Sequence, residues 1–187
     1  MKNIEAEYPI RHRFELKKSN QTGVVLFSGK ILSEHWKYTV SFDKTNRVER
    51  VLLHEVIIKN EVSKTDYFER LILNIQSGEE ITRVFASDIL CDFIEFNSID
   101  LDLKTLQKGI EIVIKQLKEE KNIDVEQKLI ESIFEFIWLE KMSSEEKKDL
   151  LILLTKIEST TICGYIDDEE YLKIPEVQNY VKRIKTT

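Results

Sequence analysis

The spacing of apolar residues changes once along this chain, and that change limits what it can fold into. Up to Gly78 the apolar side chains recur mainly at every second position; beyond it they recur at intervals of three and four. A period of two fits a strand with one buried face, and a period near 3.6 fits an amphipathic helix. The order of the two periods therefore predicts strands first and helices second.

The strand signal is clearest in Ile10–Lys17, where Ile10, His12, Phe14 and Leu16 alternate with Arg11, Arg13, Glu15 and Lys17. A short apolar run bracketed by Gly23 and Gly29 follows. Trp36, Tyr38, Val40 and Phe42 then share one expected face, with His35, Lys37, Thr39 and Ser41 on the wet one. Asp43–Asn46 carries the side chains of a hairpin turn. Beyond it, Val48–Lys59 reads as a single strand with Val51, Leu53 and Ile57 opposite Val48, Leu52, Val56 and Ile58. Apolar residues on both faces predict a central strand covered on both sides. Residues 67–76 fit either period: Tyr67, Leu71, Leu73 and Ile75 as a strand, Phe68, Leu71, Ile72 and Ile75 as a helix. The reading adopted is a strand ending at Ser77–Gly78.

In the second half, Glu79–Phe96 predicts a helix with acids in its first turn, where they suit the macrodipole. Leu103, Leu106, Ile110, Val113, Ile114 and Leu117 form the cleanest helical stripe. Asp124 is the expected cap of the next helix, which contains Glu131–Met142, a segment apolar around most of its circumference. Such a helix is normally central, so core packing is the reading for it, with Trp138 at the rim. Ser143 and Glu146 have the spacing of a capping box, and Pro175 marks the start of the last helix. The fold class that follows is α+β. An N-terminal antiparallel sheet of about four or five strands (residues 1–78) precedes a C-terminal acidic bundle of about five helices (residues 79–187), the two packed together.

Charge divides unevenly along the chain. Of the formal −6, residues 1–78 contribute +3 and residues 79–187 contribute −9. Charge asymmetry speaks to partners rather than fold, and this one opposes nucleic acid, whose phosphates require an excess of Lys and Arg. The basic strand Arg11, Arg13, Lys17 and Lys18 reads as an ordinary wet face or a protected edge. The first residues lack the apolar core of a secretory signal, and no apolar run is long enough to span a bilayer. Cys91 and Cys163 are far apart and form no CxxC, which gives no basis for a disulfide framework or zinc site and points to a reducing cytoplasm.

The chain carries no GxGxxG, no P-loop and no nucleophile elbow. His12, His35 and His54 have no ligand spacing on one element, so no catalytic residue, metal or cofactor is assigned. The segment Tyr165–Leu172 sets four consecutive acids, Asp167, Asp168, Glu169 and Glu170, between aromatic and aliphatic residues. It lacks the glycine and the oxygen spacing of a calcium loop. A solvated helix start accounts for it, and an acidic, aromatic-framed contact for a basic protein is the functional alternative. The resulting expectation is a non-enzymatic interaction protein of bacterial type, with Lys- and Ile-rich composition as the hint of source. The class is that of an immunity or inhibitor protein that neutralises a basic toxin domain. The expected contacts are Asp167, Asp168, Glu169, Glu170, Tyr171 and Trp138. Two alternatives stand beside it. One is an enzyme or small-ligand binder with a pocket between sheet and helices lined by His12, His54 or Tyr38. The other is a structural or adaptor subunit, including one from a phage or mobile element.

Overall fold

The structure is a computed structural model and describes residues 10–30, 36–157, 159–166 and 169–185. It is an α+β fold: among the described residues five antiparallel strands come first, and six α-helices follow. The strands are β1 (His12–Leu16), β2 (Thr22–Lys30), β3 (Trp36–Phe42), β4 (Val48–Leu52) and β5 (Val56–Glu61). The helices are α1 (Lys64–Ile75), α2 (Glu80–Asn97), α3 (Leu103–Glu119), α4 (Ile123–Trp138), α5 (Ser144–Leu154) and α6 (Pro175–Lys185). The chain divides into two compact units, Met1–Leu101 and Asp102–Thr187. The change of residue period after Gly78 and the division of contacts after Leu101 thus lie at different places, and α1 and α2 belong with the sheet.

In the first unit the strand order is β4-β3-β2-β1-β5. The expected single strand Val48–Lys59 is in fact two strands at opposite edges. A 3-10 turn at Leu53–Glu55 separates them, and the Glu55 carboxylate accepts the Leu52 amide hydrogen at 3.1 Å. The apolar residues fell on both expected faces because the turn puts β4 and β5 out of phase. A three-residue link spans little more than about 14 Å even when extended, so the two edges of the sheet curl toward each other like an incomplete barrel.

Inside the curl, Phe14, Val25, Tyr38, Val40, Phe42, Val51 and Val56 form one apolar cluster, with Leu16 and Ile58 packed against it. The alternation read for Tyr38, Val40 and Phe42 is therefore present, and so is that of Phe14 and Leu16. It fails at the start of the expected strand, where Arg11 turns left-handed, a register shift follows His12, and Ile10 lies at a cleft outside the curl. Burial raises the Tyr38 hydroxyl above the ordinary tyrosine range. Gly23 is required here by close approach: a Cβ on it would lie 2.0 Å from the Ser41 carbonyl oxygen and 2.7 Å from the Phe14 ring.

The outer face of the sheet is not wet as expected. Thr39 and Ser41 are buried along with Val24 and Leu26. Side chains of α1 and α2 bond to this part of the molecule: the Tyr67 hydroxyl donates to the Leu26 carbonyl at 2.6 Å, and Asn74 donates to the Asn46 carbonyl at 2.6 Å. The Thr82 hydroxyl accepts the Val48 amide at 3.1 Å, so α2 closes part of the exposed edge of β4.

Residues 64–75 are helical, which corrects the strand reading of 67–76. Ser63 caps the helix by accepting the Asp66 amide, and Tyr67, Phe68, Leu71, Ile72 and Ile75 are buried at helical spacing. The strand alternative required Leu73 inward, but Leu73 is exposed.

In the second unit α3 buries Leu106, Ile110, Val113, Ile114 and Leu117, five of the six residues of the expected stripe. Asn122, not Asp124, caps α4, accepting the amides of Asp124 and Val125; Asp124 occupies the first turn instead. Either residue type caps well, and the one placed before the first helical turn takes the role. Helix α4 buries Val125, Leu129, Ile130, Ile133, Phe134, Phe136 and Ile137, each in the range of about 1.5–3 kcal/mol of transfer free energy for a fully buried large side chain. Ser143 and Glu146 form the expected capping box at the start of α5.

Candidate functional site

The expected contact residues fall into three groups. Asp167 and Asp168 lie outside the described residues. Glu169 and Glu170 are exposed and lead into a single 3-10 turn, Tyr171–Lys173, rather than a long helix. Glu170 and Tyr171 line an open cleft with Ser144, Lys147, Lys148 and Leu151 of α5. Two lysines beside the acids weaken the negative field expected of this surface.

Trp138, at the end of α4, is 47% exposed. It is held by Phe134, 6.0 Å away between ring centroids, and Phe134 stacks in turn on Tyr165 at 5.1 Å. Tyr165 donates its hydroxyl hydrogen to Glu131 at 2.6 Å. The row Trp138–Phe134–Tyr165 therefore ties the end of α4 to Tyr165. Partial burial and the Glu131 carboxylate push the Tyr165 hydroxyl up to about 12. Burial opposes ionisation of Glu131, but hydrogen bonds from Lys128, Tyr165 and Gln127 outweigh it and hold the carboxyl below its usual range.

The histidines are scattered. His12 is half-buried with Nδ1 3.2 Å from the Ile10 carbonyl, His54 is exposed on the 3-10 turn, and His35 lies outside the described residues. Among the described residues, no group of three or more His, Cys, Asp or Glu side chains could hold a metal ion.

A second surface, in the first unit, escaped the sequence reading. Residues 79–101 contain six acids and one arginine, so most of the negative charge assigned to the helical half sits on α2 and its flanks. By compact unit the net charge is −2 for residues 1–101 and −4 for residues 102–187. All six acids are exposed; Glu79 is paired with Arg47 at 3.0 Å and Asp100 with Lys64. On the same side of α2, Phe96 is 70% exposed and Ile81 is also open to solvent. Phe85 is covered by the Arg50 guanidinium, 4.8 Å from its ring centre.

Phe96 and Asp92 border a cleft of about 320 Å³ between α2 and the sheet. Its floor contains Leu26, Tyr67 and Phe93, which are buried, and its rim contains Ile10, Phe27 and Ile89. Burial raises the Tyr67 hydroxyl well above its ordinary range; Arg11 acts to lower it and Asp92 to raise it. A pocket between sheet and helices does exist, but none of the expected residues His12, His54 and Tyr38 lines it. The signal that would have located it is the acid density of residues 79–101 interleaved with Ile81, Phe85, Ile89 and Phe96.

No helix among the described residues is long and apolar enough to cross a membrane. The chain matches no family model, no curated protein and no solved structure.

Proposed function

We propose that this chain is a non-enzymatic binding protein that engages a basic protein partner, in the manner of a cytoplasmic bacterial immunity or inhibitor protein neutralising a toxin domain. The observation that carries the reading is on α2. Residues 79–101 carry six acids against one arginine, and four of those acids lie on α2, a helix that also presents Ile81 and Phe96 to solvent. Acids attract a basic surface over about a Debye length, roughly 8–10 Å, and set the approach. Aromatic side chains supply the short-range burial that holds a complex together. Trp138, Glu169, Glu170 and Tyr171 offer a second, weaker version of the same combination, diluted by Lys147 and Lys148.

The test is co-purification from the source cells, followed by assay of the captured partner's own activity with and without the chain. A single basic partner whose activity is suppressed at equimolar chain is expected. Capture of acidic proteins only, or a basic partner left fully active, would sink the inhibitor reading. The cleft beside α2 favours one alternative, a binder of small apolar ligands, but its volume lies at the bottom of the range of about 300–1,000 Å³ usual for such sites.

A further inference from the structure

Two local irregularities meet at the cleft beside α2. The first is in β2, whose register against β3 shifts between Val25 and Phe27. By simple alternation Phe27 would join Val25 inside the curled sheet; a bulge re-aims the side chain, and Phe27 is 49% exposed at the rim. The second is Arg11, held at φ 67°, a left-handed conformation that a side chain of this size adopts at a cost of about 1–3 kcal/mol. Its amide donates to the Val25 carbonyl at 2.9 Å and its carbonyl accepts from Val62 at 2.7 Å, so β2 and the residue just after β5 fix it there. Strain of this kind persists where surrounding structure over-determines it, and binding sites are frequent places.

The cleft so framed is an apolar slot between two exposed aromatics, Phe27 and Phe96, with Asp92 at its lip and Asp88 and Glu95 on the adjoining side of α2. We propose that this slot docks a basic amphipathic segment of the protein partner. An aliphatic or aromatic side chain of the segment enters between Phe27 and Phe96, and neighbouring Lys or Arg residues face Asp88, Asp92 and Glu95. The size of the slot suits one anchoring side chain better than a cofactor, and the net negative charge of residues 79–101 selects a basic segment over an acidic one. The proposal rests on the binding-protein reading above and narrows it to one surface.

The test uses the full chain, isotopically labelled, titrated with a short helical peptide of Leu and Lys and, separately, with its Leu and Glu counterpart. The Leu/Lys peptide is expected to shift the amide signals of Phe27, Asp92 and Phe96, and F96S or F27S to weaken it about tenfold or more. D92N/E95Q, which leaves the aromatics in place, is expected to weaken it less and to reduce its salt dependence. Shifts confined to Trp138 and Glu169–Tyr171 would overturn the slot while leaving an acidic binding protein standing. Equal binding of both peptides would overturn the charge selection. Binding of neither would remove both the slot and the broader reading.

Discussion

The hydroxyl of Tyr67 on α1 donates to the main-chain oxygen of Leu26 on β2 at 2.6 Å, and both residues are buried. This bond joins helix to sheet directly beneath the slot. Replacing Tyr67 with Phe leaves the Leu26 carbonyl buried without that partner. Y67F is expected to lower stability by about 1–3 kcal/mol, read from the urea midpoint at unchanged slope. A variant as stable as the parent would show that the carbonyl finds another donor.

Gly23 leaves no room for a side chain, since the atom a Cβ would meet at 2.0 Å is main chain and cannot swing aside. G23A is expected to cost about 3 kcal/mol, the upper end of ordinary overpacking, because β2 and β3 must separate to admit it. G78A, with open space around it, is the control and should fall within about 0.5 kcal/mol.

Helix α4 separates core from surface within five residues. Phe134 is fully buried, and truncation to Ala is expected to cost about 3–5 kcal/mol. Trp138, one turn later and half exposed, is expected to cost about 1 kcal/mol or less on truncation. Thermal unfolding of the two variants in parallel checks the contrast; similar losses would mean that Trp138 is part of the core.

The Tyr165–Glu131 bond has a pH signature. Tyr165 titrates near 12 in the folded chain and near 10 when unfolded, so the folded state holds its proton more tightly. Its contribution is complete below about pH 10 and is lost as pH rises toward 12. Glu131 works in the opposite direction: its folded carboxyl is depressed, so its contribution is present above about pH 4.3 and lost as pH falls through the folded value. Y165F is expected to be less stable than the parent at neutral pH and to lose less between pH 10 and 12. A parallel decline of both proteins would exclude Tyr165 as a contributor.

How far the sequence announced this structure follows from the physics of each element. α3 was legible because it keeps one period along its length and buries one face. β1 was legible only from Phe14 onward, since the left-handed Arg11 and the register shift after His12 break its alternation. The α5 capping box was legible because it is a local contact at fixed spacing. Val48–Lys59 was misread because Glu55 reaches back to cap Leu52, and a three-residue turn leaves no trace in an apolar count. α1 was misread because its buried residues satisfy both periods until the exposure of Leu73 decides between them. The β2–α2 slot was hidden for a related reason: a bulge reverses the facing that alternation assigns to Phe27, and the acids of residues 79–101 were averaged into the whole helical half.

On the proposed reading this protein meets its partner through negative charge on α2 set beside the exposed Phe96 of α2 and Phe27 of β2. The most direct measurement is the affinity of the co-purified basic partner at low and at physiological ionic strength, for the parent chain and for D88N/D92N/E95Q. Affinity of the parent is expected to fall by about tenfold between the two conditions, and the triple variant to bind weakly with little dependence on salt. Parent affinity unchanged by salt, or a triple variant that binds as the parent does, would contradict it.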